Sequence, residues 1–105
     1  MPMIMSGTGV ITQINVFTCT PANQAALIAL LIEGAKSVSD VEGWMSASIH
    51  RGLAGDAVVN YAQCRDQAAQ DRVIERLRAS DFFARNAKLG TAHPGLYEVA
   101  ATMER

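Results

Sequence analysis

The chain has 105 residues, of which half are hydrophobic and only 18% are charged, and its formal net charge is −1. This length is typical of one domain, and so apolar a composition argues against disorder. The acidic and basic residues are interspersed without a basic stripe, so we expect no nucleic-acid partner. No run of eighteen apolar residues is present, and the N-terminus lacks a basic leader and a long apolar core. We therefore expect no membrane span and no signal peptide.

The two cysteines, Cys19 and Cys64, form no recognisable disulfide or metal pattern, and the methionines form none either. A reduced, cytoplasmic protein without a metal site is the prediction. Residues 1–9 are predicted to be a flexible N-terminal tail, and residues 10–105 a single domain. Because so much apolar surface sits on a small chain, we expect part of it to be covered by a second subunit.

The first half of the domain is predicted to be a strand, a helix and a second strand. Residues 10–19 alternate, which puts Gln13, Asn15 and Phe17 on one face. Thr20 and Pro21 are typical of a helix start, and the helix is predicted to run to Val38. Its apolar stripe comprises Leu27, Leu30, Leu31, Gly34 and Val38.

Residues 44–52 and 57–64 are predicted to form a hairpin. Met45, Ala47 and Ile49 are predicted to share the apolar face of its first strand. Asp66 is suited to cap a second helix, and residues 82–89 form a further helical piece. We interpret His93-Pro94-Gly95 as a turn and residues 96–103 as the last strand.

This element order predicts the α+β, ferredoxin-like βαββαβ fold, with helices on one face of an antiparallel sheet. The first and third strands are then central neighbours, so Asn15 and Asn60 are expected to lie close together. A buried amide without a partner costs about 1–3 kcal/mol. We expect a ligand to satisfy these amides; the alternative is that they bond each other, or a water, in a packed core. A three-residue hairpin loop would place His50 opposite Asn60, whereas a two- or four-residue loop would not.

Several segments resemble the antibiotic biosynthesis monooxygenase family. They are residues 12–17, the proline-headed helix, residues 49–51, Val-Val-Asn-Tyr-Ala-Gln at 58–63, and residues 96–99. The resemblance implies a homodimeric α+β barrel with a ligand pocket between each sheet and its own helices. It also implies oxidation of a small aromatic phenol or anthrone to a quinone by O₂ without metal, flavin or other cofactor.

The resemblance assigns catalytic roles to Asn60 and Asn15, and His50 is the candidate for proton exchange. The predicted substrate-binding residues are Phe17, Cys64, Phe83 and Arg85. Where Cys64 stands, family oxygenases usually carry a tryptophan, which implies a larger or differently shaped pocket. The haem-degrading relatives need a histidine in the region of residues 82–86, and this chain has none there.

The leading hypothesis is therefore a monooxygenase that aims neutral amide donors at an oxyanion developing on the substrate. One alternative is a small-molecule binding or stress-related protein of the same fold. Another is a non-redox isomerase that acts through His50. Trp44 is interpreted as a core or interface residue and Cys64 as an inert buried thiol.

Overall fold

The computed structural model describes residues 2–105 and contains a four-stranded antiparallel sheet. Its strands are β1 (Ile11–Thr18), β2 (Trp44–Arg51), β3 (Ala57–Cys64) and β4 (Thr91–Tyr97). They lie in the order β2-β3-β1-β4. The helices are α1 (Gln24–Val38), α2 (Gln67–Arg78) and α3 (Phe82–Ala87). The ferredoxin-like prediction is confirmed, with β1 and β3 at the sheet centre. Met1, part of the predicted tail, lies outside the described residues, and residues 2–10 have no regular structure.

The predicted apolar stripe of α1 is the buried stripe of that helix. Pro21 begins a short 3₁₀ turn, Pro21–Asn23, and the Thr20 side chain makes no capping hydrogen bond. At the start of α1, Gln24 Nε2 donates hydrogen bonds to the carbonyl oxygens of Gly52 and Ala57, at 2.9 and 3.1 Å. These two bonds attach the helix to the loop end of the β2–β3 hairpin.

Gly34 is explained by close packing against α3. A Cβ atom at this position would lie 2.2 Å from Cε1 of Phe82, far inside van der Waals contact. The absence of a side chain at Gly34 lets α3 lie directly against α1. This contact places the Phe82 ring between the two helices.

Asp66 caps α2 as predicted, since its Oδ1 accepts the backbone N–H of Ala69 at 2.9 Å. This hydrogen bond is the main reason why the pKa of Asp66 lies below its usual value. The apolar side of α2 buries Ala69 and Val73 against Val38 and Cys64. The cap therefore begins the helix at the point where its apolar side meets the sheet.

A β-bulge near the start of β2 changes the predicted faces of that strand. The register shifts between Trp44 and Ser46, so Trp44 pairs with Cys64 while Ala47 pairs with Ala62. Trp44 therefore points to the same side as Ala47, towards the helices, and Met45 is 47% exposed. The prediction that Met45 shares the apolar face of Ala47 and Ile49 is wrong.

The last strand lies earlier in the chain than predicted. The expected turn at residues 93–95 is part of β4, and residues 98–105 have no regular structure. Pro94 is tolerated because β4 is an edge strand, which has one hydrogen-bonding side free. Gly95 leaves room for the Tyr97 ring, whose hydroxyl oxygen would lie 2.5 Å from a Cβ atom there. Within the described residues, no helix is long and apolar enough to cross a membrane.

Candidate active site

Two asparagines meet at the centre of the sheet. Asn15 of β1 and Asn60 of β3 are direct cross-strand partners, so their side chains leave the sheet on the same face. That face is the one covered by the helices, because Phe17 and Val58, a neighbouring pair on it, are buried under α1. The predicted juxtaposition of the two amides is confirmed; their chemical role stays a prediction.

The two amides border a cavity of about 580 Å³ between the sheet and the three helices. This volume lies within the usual range of small-molecule sites, about 300–1,000 Å³. Most of the wall is apolar, with flat rings from both layers. Its aromatic residues are Phe17, Trp44, Phe82 and Phe83. Such a wall is suited to a flat, largely apolar molecule that needs orientation by a few polar groups.

The two central amides differ in the hydrogen bonds that they already make within the protein. Asn15 Oδ1 accepts the backbone N–H of His93 in β4 at 3.0 Å, which ties this amide to the edge strand. This leaves the Nδ2 group of Asn15 as the amide atom that can bind a ligand in the cavity. Asn60 Oδ1, by contrast, is buried and has no hydrogen-bond partner within residues 2–105. This oxygen has less than 1 Å² of accessible surface, so the part of Asn60 that lines the cavity is the rest of its side chain.

His50, the candidate for proton exchange, lies outside the cavity, because the hairpin has a loop length that does not place it opposite Asn60. It pairs with Val59, whereas Ile49 is the residue opposite Asn60. The hairpin closes with Gly52 donating to Ala57, so the loop comprises residues 53–56, one residue longer than His50 would need. The His50 ring is exposed on the helix-free face and contacts the Ser48 hydroxyl.

Cys64 is on the helix side of the sheet but does not line the cavity. It is 1% exposed and packs with Val38, Val41 and Val73. Burial is the main cause that raises the pKa of its thiol, and the nearby Asp66 carboxylate adds to it. The structure therefore does not bring Cys64 to the wall of this cavity, and its interpretation as an inert buried thiol fits the structure.

Arg85 also lies outside the cavity. Its guanidinium makes a two-pronged contact with the Glu33 carboxylate, at 3.0 and 2.9 Å, on the solvent side of α1 and α3. This hydrogen-bonded pair lowers the pKa of Glu33 and raises that of Arg85. α3 directs Arg85 away from the sheet, so the structure does not bring it together with the two amides at the cavity wall.

Phe17 and Phe83 line the cavity, in the positions that a substrate-binding role requires. The sequence analysis did not assign several other wall residues to the site, among them Trp44, Phe82 and Asn86. The bulge that redirects Trp44 leaves no sequence signal that we recognise. For Asn86 a sequence signal was present, because it follows Phe82 and Phe83 by four and three residues and so shares their side of the helix.

The polar side chains that line the cavity are almost all uncharged. Arg78 is the only ionisable side chain among the residues described as lining it. The wall therefore offers hydrogen-bond donors and acceptors, together with one cation, but no carboxylate, imidazole or thiol base. Across the part of the chain that the structure describes, no group of three or more histidine, cysteine, aspartate and glutamate side chains could hold a metal ion.

The class of protein that these features define is a ferredoxin-like α+β domain with an apolar, amide-bearing cavity between sheet and helices. No protein-family model matches the sequence, and no curated protein matches it significantly. Its fold is nevertheless that of several solved proteins, which confirms the resemblance at the level of the fold.

SnoaB from Streptomyces nogalater, a cofactor-independent oxygenase, superposes with a TM-score of 0.79 at 20% identity, over 92% of this chain and 99% of SnoaB. The monooxygenase from the gene ActVA-Orf6 of Streptomyces coelicolor, solved with the ligand nanaomycin D, gives 0.76 at 23% identity, over 93% of each chain. Rv0793 from Mycobacterium tuberculosis gives 0.68 at 22% identity, over 90% of this chain and 97% of Rv0793.

Proposed function

We propose that this protein is a cofactor-independent monooxygenase that oxidises an aromatic phenol or anthrone to a quinone with O₂. The observation that carries the proposal is the cross-strand pair Asn15 and Asn60 at the wall of an apolar cavity. The structural likeness to SnoaB and to the ActVA-Orf6 monooxygenase supports it.

The reaction needs no external reductant because the substrate supplies all the electrons. In an anthrone, loss of a proton from the ring methylene gives an enolate, which transfers electrons to O₂ and forms a C–O bond to a hydroperoxide. Loss of the second methylene proton breaks the O–O bond and leaves a carbonyl. One oxygen atom enters the quinone and the other leaves as water, so the methylene carbon loses four electrons in total.

The protein supplies position and neutral donors. The Nδ2 groups of Asn15 and Asn60 are directed at the substrate oxygen on which the enolate charge develops, and a donor pre-placed in an apolar site is most effective there. The rings of Trp44 and Phe83 hold the flat substrate against the sheet.

The first proton passes to water, because no carboxylate, imidazole or thiol lines the cavity. The substrate must then be acidic enough to ionise once its enolate is hydrogen-bonded to the amides. This requirement restricts the substrates to electron-rich phenols and anthrones. It also removes the residue on which the isomerase alternative depended, since His50 lies on the other side of the sheet.

Anthrone is the test substrate. Purified protein is expected to convert it to anthraquinone in air, followed by absorbance, and not under nitrogen. Asn60→Leu removes the central donor and is expected to lower kcat by about 100-fold while circular dichroism stays unchanged. Arg85→Gln, on the solvent side of α3, is the matched control and should keep full activity. Equal conversion under nitrogen, or no conversion by the wild-type protein, would reject the oxygenase.

The alternative of a binding protein without oxygenase activity shares the cavity and is separated by the same assay. Such a protein would bind the anthrone in the cavity without accelerating its oxidation. Asn60→Leu would then weaken binding and leave the slow uncatalysed oxidation as it is.

The second part of the proposal is a homodimer formed through the helix-free face of the sheet. Alternation places Ile14, Val16, Val59 and Tyr61 on this face, and no helix covers it. Val16 is 38% exposed in the centre of the sheet. Light scattering should give twice the chain mass, and Val16→Glu should give a folded monomer. A wild-type monomer at micromolar concentration would contradict this part alone.

A further inference from the structure

Both histidines of the chain lie in one row on the helix-free face of the sheet. His50 of β2 is paired with Val59 of β3. Val59 is paired with Val16 of β1, and Val16 with His93 of β4. The two valines form the centre of this histidine row. The two exposed histidines form its ends, three strand spacings or about 14 Å apart.

Apart from these histidines, the helix-free face has no strand side chain that is charged near neutral pH. The strand positions that point to it are otherwise small, apolar, hydroxyl or amide residues. Arg51 is the only other charged residue within the four strands, and it pairs with the buried Val58, on the helix side. No helix packs on the helix-free face. The charged residues next to the strands, or in the segments that continue them, are Glu42, Asp56, Arg65, Lys88, Glu98, Glu104 and Arg105.

An uncharged face of this size is suited to a second copy of the same chain. Four strands of seven or eight residues cover roughly 500 Å², at the upper end of the apolar patches that monomers expose. In a two-fold dimer each copy presents the same face to the other, so charges of one sign would be brought together. The lack of strand charges on this side avoids that repulsion, and it disfavours a charged partner such as a nucleic acid.

Acid adds positive charge to this face. Histidine is the side chain that ordinarily changes its charge between pH 5 and 8. In a dimer, protonation of His50 and His93 in both copies places four cations in the interface, and the strands carry no carboxylate to balance them. Separated copies leave these cations in water. The dimer therefore binds protons more weakly than the free monomers do, and lowering the pH favours dissociation.

We propose that the histidine row makes the dimer pH-sensitive, so that it separates into folded monomers below about pH 6. This inference rests on the dimer of the proposed function and not on its oxygenase chemistry. The cavity lies on the other face of the sheet, and neither histidine lines it.

Sedimentation equilibrium of the full chain at about pH 8 and about pH 5.5, at constant ionic strength, tests the proposal. The Kd of the wild-type dimer should rise at least about tenfold at the lower pH, while circular dichroism stays unchanged. Glutamine is polar and does not titrate in this range. The double variant His50→Gln/His93→Gln should therefore have the same Kd at both pH values.

Further variants cover the case that the double variant does not fold. His50→Gln and His93→Gln alone should each retain part of the wild-type pH response. Glu98→Gln, which removes the carboxylate directly after β4, is the matched control and should retain all of it.

Two kinds of result would overturn the proposal and leave the dimer itself in place. One is a wild-type Kd that is the same at both pH values, or a pH response that persists in the double variant. The other is a wild-type dimer that separates at the lower pH only by unfolding. A wild-type monomer at about pH 8 would reject the dimer and this inference together. None of these results affects the oxygenase assay, which is read separately.

Discussion

The contact between Gly34 and Phe82 makes a prediction in which stability and ligand binding separate. In Gly34→Ala, the new methyl group would lie 2.2 Å from Cε1 and 2.6 Å from Cζ of the Phe82 ring. Ordinary carbon contacts are about 3.5–4.0 Å, so the ring must move by roughly 1–2 Å. The ring lines the cavity, and the cavity is the free space beside it.

Two opposing terms set the stability of this variant. Alanine in place of glycine inside a helix contributes about 1 kcal/mol, whereas overpacking a filled contact costs about 1–3 kcal/mol. We therefore expect net destabilisation of about 0–2 kcal/mol in urea unfolding. Affinity for anthrone, measured under nitrogen, should fall, because the displaced ring occupies ligand space.

A second substitution isolates the clash. In a Phe82→Leu background the methyl group has room, so Gly34→Ala should stabilise the protein by the helix term, about 1 kcal/mol, and leave the ligand affinity of that background unchanged. If Gly34→Ala instead stabilises both backgrounds equally and has no effect on binding, the packing of Phe82 between α1 and the cavity is not as described.

Three other predictions follow from the same structure. The lowered pKa of Asp66 means that its capping contribution is present above the ordinary aspartate pKa and is lost as the pH falls through the lower, folded-state value. Thermal unfolding from neutral to acidic pH should therefore show a smaller acid loss in Asp66→Asn than in the wild type; an identical loss would contradict the role of this carboxylate. For the thiols, Cys19 is partly exposed and Cys64 is buried with a raised pKa, so a disulfide reagent should label one thiol quickly and the second only on unfolding. Cys19→Ser should remove the fast phase; fast labelling of that variant would show that Cys64 is accessible. Trp44 is the single tryptophan and lines the cavity, so its fluorescence should change and saturate on addition of anthrone under nitrogen. An unchanged spectrum at saturation would place the ligand elsewhere.

Features that depend on local periodicity were predictable from the sequence. The buried stripe of α1 follows from helical spacing, and the Asp66 cap follows from the chemistry of helix starts. The pairing of Asn15 with Asn60 needed only the strand order and the mid-strand position of both residues. The pair of amides at the centre of the candidate site could therefore be predicted from the sequence.

Features that depend on register or on tertiary compensation were not predictable. One bulge residue turns Trp44 into a wall of the cavity, and one additional loop residue turns His50 away from it. β4 contains a proline and a glycine, which are typical of a turn. They are tolerated in this strand because it lies at the edge of the sheet and because Asn15 Oδ1 accepts the backbone N–H of His93. Arg85 was assigned to the pocket by resemblance alone, and the pairing with Glu33 on the solvent side corrects that assignment.

Oxidation of anthrone by the wild-type protein under isotopically labelled O₂ gas in ordinary water tests the central claim most directly. The account predicts one labelled oxygen atom in each anthraquinone molecule, formed at a rate that Asn60→Leu lowers and Arg85→Gln does not. Unlabelled quinone from the enzymatic reaction, or labelled quinone formed as quickly by Asn60→Leu, would contradict an oxygenase centred on the paired asparagines.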